Sequence, residues 1–277
     1  MKYWIGLIIY ISIIHSSVSQ TGLTDDMAEN ELQFNASNKQ INQFFRRFNG
    51  EEDGKGNRLN QTDKAYRSSS LRRNYLPNLF DRNNENIADQ AKVFVRDVTN
   101  KQSPRYLDFH ANNWFAEVQT VFSKEGKEIS GLLFMKLQQQ GQGYEWVIDQ
   151  ISFDHYQNYF KKDTSESKRF LHPMSHELDF MTLRKALAKE KHTEQFTARD
   201  FRPDQLTLFL HELNQGVLSF KTVRDVKFHF FTIDDWYFSL ANFNRMGYNS
   251  GWLIDNVVPI QNDQHRDALK NYIYDIK

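Results

Sequence analysis

A short phrase that contains an aspartate occurs twice in the chain, as "GYEWVIDQI" and as "NSGWLIDNV". In both copies a Trp precedes an aliphatic residue, Ile, Asp, a side-chain amide and another aliphatic residue. Strand alternation would place Asp149, in the first copy, on one face with Val147 and Ile151. A carboxylate among aliphatic side chains can act as a general acid or base, so Asp149 is a candidate catalytic residue. A wet or backbone-bonded aspartate near a strand end is the other interpretation.

Asp108 and His110 form a second candidate pair within "YLDFH". On a strand, residues two apart share a face, and a His beside a carboxylate can act as a proton-transfer dyad. A polar pair at the mouth of the sheet is the alternative. His229 alternates with apolar neighbours in "VKFHFF" and is expected to face solvent.

His172 and His176 in "HPMSH" could offer two imidazoles to a metal ion. Pro173 and the expected helix start place them in a loop-to-helix junction, and two His without a third ligand do not define a zinc site. The chain has no Cys, which excludes thiolate metal sites and Cys nucleophiles. We therefore predict no metal and no cofactor.

The chain is rich in aromatic residues, with 23 Phe, 12 Tyr and 5 Trp. Large aromatic side chains in strands either fill a core, line a ligand pocket or seal a domain interface. The residues predicted to bind a ligand are Trp114, Trp146, Trp236, Trp252, Tyr248 and Asp255.

Two similar successions of elements would position these residues. In the first half, three helical patterns precede a strand-rich region, with strands expected in "RYLDFH", "WFAEVQTVF", "SGLLFMKLQ" and "YEWVIDQISF". Helical patterns then return after Pro173, and strands are expected in "VLSFKT", "VKFHFFTI", "WYFSLANF" and "GWLIDNVV". The repeated phrase ends both successions, which indicates a duplicated domain; a chance match is the alternative.

Helices followed by a curved antiparallel meander resemble the NTF2-like superfamily, also called cystatin-like, in which the sheet wraps around a helix as a cone. The first half resembles secreted bacterial proteins of this kind through "QFFRRFNGEED", "YLPNLFD" and "WFAEVQTVF". The resemblance implies an α+β fold with two NTF2-like cone domains. The superfamily includes enzymes that act on small apolar molecules and proteins that only bind, so the fold alone selects no function.

The N-terminal sequence has the pattern of a secretory signal, with a basic Lys2, an apolar run and small residues before Gln20. With the absence of Cys, this pattern predicts secretion to the periplasm or cell surface of a Gram-negative bacterium. The expected organisation is a signal peptide over 1–19, a flexible lead-in over 20–33, NTF2-like domains over 34–155 and 173–262, a linker over 156–172, and a helix over 263–277.

Charge composition limits the possible partners. The chain has 35 basic and 35 acidic side chains, so it lacks the basic excess of a general nucleic-acid binder. No segment after the signal is apolar enough to predict a membrane span. The favoured function is non-catalytic binding of a small ligand or an envelope protein. A lyase or isomerase acting on a small apolar substrate in the first cone, and a structural component of an envelope assembly, are the alternatives.

Overall fold

The computed structural model describes residues 41–157, 204–246 and 249–274. These residues form an α+β fold built on a six-stranded antiparallel sheet, with helices packed on both sheet faces. Residues 1–40, which contain the predicted signal and lead-in, lie outside the described residues, as do most of the predicted linker and the pair His172 and His176.

The helices cluster before the first strand, between the two groups of three strands and at the C-terminal end. Short 3₁₀ turns at Leu76–Leu79 and Glu85–Ile87 lie between the second and the third helix. Within the described residues the helices are α1 (residues 41–49), α2 (Ser69–Tyr75), α3 (Ala88–Val98), α4 (Asp154–Gln157), α5 (Gln205–Asn214) and α6 (Asp263–Ile273).

The strands form two consecutive meanders of three strands that meet in the middle of the sheet. The spatial order is β3-β2-β1-β4-β5-β6, so β1 pairs with β4 and the two strands with the repeated phrase lie at opposite edges. The strands are β1 (Trp114–Lys124), β2 (Lys127–Gln140), β3 (Gly143–Ser152), β4 (Leu218–Phe230), β5 (Trp236–Phe243) and β6 (Gly251–Pro259).

Helix ends follow local sequence signals. The Ser68 side chain accepts a hydrogen bond from the Leu71 amide at the start of α2, and Asp204 caps α5 in the same way through the Leu206 amide. Pro77 disfavours a continuous helix through this segment. Helix α2 ends at Tyr75, where a 3₁₀ turn with Pro in its first turn begins.

The repeated phrase encodes a β-bulge in each edge strand. In β3, Ile148 pairs with Met135 and Gln150 with Phe134, which leaves Asp149 as the extra residue. In β6 the register shifts in the same way around Asp255. A bulge reverses the alternation of side chains, so the Trp, the Ile and the final aliphatic residue of each phrase all join the main core.

This bulge corrects one detail of the sequence prediction. Ile151 was expected to share a face with Asp149, but it packs in the main core with Trp146 and Ile148. Simple alternation failed here because it assumes a regular strand, whereas the extra residue at the bulge turns Asp149 to the opposite face.

The main core lies between the first sheet face and helices α1 to α3 and α5. Its centre is aromatic: the Phe48 ring stacks on Phe238 at 6.1 Å, and Phe94 meets Trp236 edge to face at 5.3 Å. The core is also closely packed at the sheet, because a Cβ added to Gly131 would lie 2.3 Å from the Phe153 ring. Residues of all six strands contribute to this one core.

The second sheet face is partly covered by α6, which places Leu269 and Ile273 against a smaller cluster around Phe115 and Phe134. The expectation that His229 faces solvent is therefore wrong: His229 lies on this covered face and is only 2% exposed. The alternating pattern of β4 suggested one buried face, but it could not show that a distant helix covers the other.

Two further expectations about strands are wrong. Residues 105–110, which contain "RYLDFH", form loop and turn, so the first meander has three strands instead of four. The segments "VLSFKT" and "VKFHFFTI" belong to the single long strand β4, which pairs with β1 along its length through two register shifts, so the second meander also has three strands. The strands of both predicted domains form one sheet.

An ion pair fixes α5 to the rest of the fold. Glu212 is buried and accepts hydrogen bonds from Lys124 Nζ at 2.7 Å and from the Tyr156 hydroxyl at 2.8 Å. Burial alone would raise the pKa of Glu212, but these two hydrogen bonds and the Lys124 charge outweigh burial and lower the pKa. Ionised Glu212 therefore links α5 to β1 and α4.

Because its pKa is lower in the fold than in the unfolded chain, Glu212 should stabilise the protein above the unfolded pKa of about 4.5 and lose that contribution as pH falls through the folded value. At pH 6, Glu212→Gln should reduce the unfolding free energy by about 1–3 kcal/mol. Urea unfolding at pH 6 and pH 3 should show this difference shrinking at low pH. Glu145→Gln, at an exposed position of β3, is the control, and a difference independent of pH would contradict the assignment.

Candidate functional site

An open cleft lies beside the hairpin between β5 and β6 and has a volume of about 870 Å³. One wall is α1 and the loop that follows it, the floor includes α2, and the other wall is the hairpin at residues 242–245 and 249–253. Ligand pockets typically measure about 300–1,000 Å³, so the cleft is large enough for a small organic molecule.

Arg72 on α2 forms the back of the cleft and is fully buried. Its guanidinium donates to the backbone carbonyls of Phe48, Val98 and Arg105, and it lies 4.5 Å from the centre of the Tyr106 ring. Burial lowers the pKa of Arg72 to about 10, which leaves it charged at neutral pH. This cation therefore joins the end of α1, the end of α3 and the loop before β1.

The loop after α1 forms the polar wall. Glu52 is buried and accepts hydrogen bonds from Arg46 at 2.7 Å and Arg47 at 3.3 Å. Asp53 is held by Asn57, whose side-chain and backbone amides lower the pKa of the Asp53 carboxyl. These contacts fix the loop and satisfy the carboxylates of Glu52 and Asp53.

Glycines let this loop approach α2 closely. A Cβ on Gly54 would lie 2.1 Å from the Tyr75 hydroxyl, so a side chain there would push the loop away from α2. Gly50 has a φ of +71°, a conformation that glycine adopts without strain, and a Cβ there would approach the Arg72 side chain at 2.7 Å. The glycines therefore shape the cleft as well as the turn.

The hairpin wall is fixed to the segment after α2. Arg245 donates to the Asp81 carboxylate at 2.6 Å and its guanidinium lies over the Phe243 ring. Asn249 donates to the Phe80 carbonyl and accepts from the Arg82 backbone amide. These side-chain contacts add to the backbone hydrogen bond from the Asp81 amide to the Ile254 carbonyl, which also joins this segment to β6.

A second, shallower groove of about 780 Å³ lies between α2 and α3. Pro77, Ile87, Ala91 and Val95 make its floor apolar, and the exposed side chain of Lys92 lies at its edge. This apolar groove is separate from the polar cleft, although Arg82 contributes to both.

Asp149 and Asp255, the aspartates of the repeated phrase, lie outside the cleft on the second sheet face. Asp149 pairs with Lys136, and its charge adds to the burial that raises the pKa of Tyr274 to about 12. Asp255 pairs with Lys227 at 2.9 Å and accepts from the Ser239 hydroxyl at 2.6 Å. Each aspartate is the extra residue of its bulge and pairs with a lysine of the neighbouring part of the sheet. These contacts give both aspartates a structural role.

Asp108 and His110 are brought together but not into a pocket. The His110 Nδ1 lies 3.8 Å from Asp108 Oδ1, and both side chains are more than half exposed. The Asp108 carboxylate accepts from the His110 backbone amide, and the His110 ring contacts Tyr144. The pair belongs to a surface turn before β1.

Most of the predicted ligand-binding aromatics belong to the core. Trp114 and Trp236 are buried there, Trp146 contacts the Trp114 ring at 5.3 Å, and Trp252 is buried but also lines the cleft. Tyr248 lies outside the described residues. Of this set the structure therefore brings only Trp252 to the cleft among the residues that it describes.

Sequence reasoning missed a buried polar network on the second face. His229 Nδ1 contacts the Tyr237 hydroxyl at 2.9 Å, and Nε2 contacts Glu117 at 2.9 Å. Burial raises the pKa of Tyr237 well above its usual value. The cross-strand register that pairs Phe115 with His229 creates this network, and a single sequence does not reveal that register.

The cleft residues were also missed, although one signal was available. The glycine-bearing charged loop after α1 forms a wall in which hydrogen bonds hold the carboxylates of Glu52 and Asp53. Loops positioned by a rigid scaffold often carry binding residues. The glycines and charged residues of this loop, directly after an amphipathic helix, were therefore a signal for a binding site.

Comparison with protein-family models, with curated proteins and with solved structures finds no match to this chain. Within the described residues, His, Asp and Glu side chains form no group of three that could hold a metal ion. None of the helices in these residues is long and apolar enough to cross a membrane.

The structural role of the two bulge aspartates predicts unequal effects of the same substitution. Asp255→Asn should cost about 1–3 kcal/mol of unfolding free energy, because half-buried Lys227 loses its carboxylate. Asp149→Asn should cost less than about 1 kcal/mol, because the pair with Lys136 is more exposed. Equilibrium unfolding in urea measures both, and equal or reversed effects would contradict this ranking.

Proposed function

We propose that the protein is a non-catalytic binding protein that takes a small ligand in the cleft between the loop after α1 and the β5–β6 hairpin. The observation that carries the proposal is an open polar cleft beside a sheet whose first face is filled by its own aromatic side chains. Because aromatic side chains fill the core on the first sheet face, we place the ligand in the surface cleft.

The positions of the candidate catalytic residues support binding over catalysis. Asp149 lies on the second face and the pair of Asp108 and His110 lies on an exposed turn, so none of them lines the cleft. A general acid or base must lie within hydrogen-bond reach of the substrate. A lyase or isomerase that uses these residues in a closed apolar cavity is therefore the less favoured function.

A partner protein is the second candidate, because the apolar groove between α2 and α3 offers exposed apolar surface. Exposed apolar patches often mark interaction sites. This proposal, and that of a structural role in an envelope assembly, would use the groove and leave the cleft empty.

We also propose that the chain is secreted, to the periplasm or cell surface, and that it arose by tandem duplication of an NTF2-like unit. The signal pattern over 1–19 and the absence of Cys support secretion. Two meanders of three strands, each ending in a strand with a bulge at the same place in the repeated phrase, support duplication. In this account the two units join edge to edge through β1 and β4.

A thermal-shift screen of small molecules against the full chain tests the binding proposal. At a ligand concentration of 100 times Kd, a bound ligand should stabilise the fold by about 2.7 kcal/mol. Asn244→Trp places an indole at the cleft wall and should abolish the shift, whereas Lys92→Trp places one at the apolar groove and should leave it unchanged.

The opposite pattern, with stabilisation lost only in Lys92→Trp, would move the site to the groove. Turnover of a small apolar substrate that Asp149→Asn abolishes would replace the proposal with the enzymatic alternative. Both variants should keep the melting temperature of the unliganded wild type within a few degrees, since both positions are exposed.

A further inference from the structure

The charge of the cleft differs from that of the whole chain. The chain has equal numbers of basic and acidic side chains, whereas five cationic side chains and two carboxylates line the cleft. The lining charges are those of Arg47, Lys55, Arg72, Arg82, Arg245, Glu52 and Asp53.

The two carboxylates of the cleft are already satisfied. Glu52 is buried against Arg46 and Arg47, and Asp53 accepts three hydrogen bonds from its own loop. Neither is arranged to offer its charge to a ligand. Arg46 and Arg47 both pair with Glu52, which leaves one positive charge in excess there. Arg245 is neutralised by Asp81, so the rest of the positive excess comes from Lys55, Arg72 and Arg82.

Several cationic groups keep donors for a ligand. The Arg82 guanidinium donates to the Asn78 side chain, and neither it nor the Lys55 ammonium forms an ion pair within the described parts of the chain. Arg47 uses Nε for Glu52 and has a half-exposed side chain. Buried Arg72 adds a fixed positive charge behind them.

The cleft also offers neutral and aromatic contacts. Asn242 and Asn244 line the hairpin wall, and the aromatic residues Tyr75, Phe243 and Trp252 also line the cleft. The volume of about 870 Å³ exceeds the need of an inorganic ion. These features fit a molecule with a ring at one end and a negative group at the other.

We propose that the ligand of the cleft is a small organic anion with a ring, bound through a carboxylate or phosphate group by Lys55, Arg82 and Arg47. The inference rests on the proposed binding function and specifies its ligand class. Guanidinium groups match both anions with paired hydrogen bonds, so the shared chemistry is an oxyanion.

Amide chemical-shift titration of the full chain with benzoate, phenyl phosphate and the neutral isostere benzamide tests the inference. At least one anion should shift the amides of residues 50–56 and 242–245, and benzamide should bind at least about tenfold more weakly. Comparing benzoate with phenyl phosphate decides which oxyanion the cleft prefers. Affinity for the anion should fall as salt is added.

Matched variants assign the effect to the cleft cations. The double substitution Lys55→Gln with Arg82→Gln should weaken binding of the preferred anion at least about tenfold. Lys101→Gln, at an exposed lysine outside the cleft, should leave it unchanged. Unchanged affinity in the double variant, or equal binding of benzamide, would overturn the inference.

The outcomes also separate this inference from the proposed function. Binding of a neutral molecule in the cleft, without response to any anion probe, would overturn the anion class and keep the binding function. Both the anion class and the binding function would be overturned if no small molecule stabilises the fold in the thermal-shift screen and no probe shifts the amides of the cleft residues in this titration.

Discussion

One buried cation organises the part of the fold that forms the cleft. Arg72 reaches the carbonyl groups of α1, α3 and the loop before β1, which lie 24, 26 and 33 residues from it in sequence. Moving a charge into a protein interior is costly unless hydrogen bonds replace those of water, so the three carbonyls must stay in place around it. This constraint aligns α1 with α2 and thereby sets the floor and one wall of the cleft.

The other wall of the cleft, the β5–β6 hairpin, is positioned by a β-bulge in the sheet. The bulge at Asp255 turns the aspartate to the second face, where it neutralises Lys227, and leaves Trp252 and Ile254 in the main core. Burial would lower the pKa of Lys227, but the Asp255 hydrogen bond and charge raise it instead. The edge strand is thus held on both faces, and residues 249–253, at and before its start, line the cleft.

The sequence predicts most helices because their signals are local. Pro77 ends α2, Gly216 with a φ of +70° follows α5, and the apolar stripe of the C-terminal helix identifies α6. The site depends on non-local contacts: the partners of Arg72 are 24 to 33 residues away, and the Asp81 to Arg245 pair spans 164 residues. Burial of His229 depends on neighbours in other strands, Phe115 and Glu117 in β1 and Tyr237 in β5, which no pattern within β4 could reveal.

The central claim is that Arg72 holds the segments around the cleft in place. The unfolding free energy of Arg72→Met, compared with that of Arg73→Met at the adjacent exposed position of α2, tests it most directly. Two buried carbonyls and one partly buried carbonyl would lose the guanidinium donor. We therefore expect Arg72→Met to cost at least about 3 kcal/mol and Arg73→Met less than about 0.5 kcal/mol. Similar unfolding free energies for the two variants would contradict the claim.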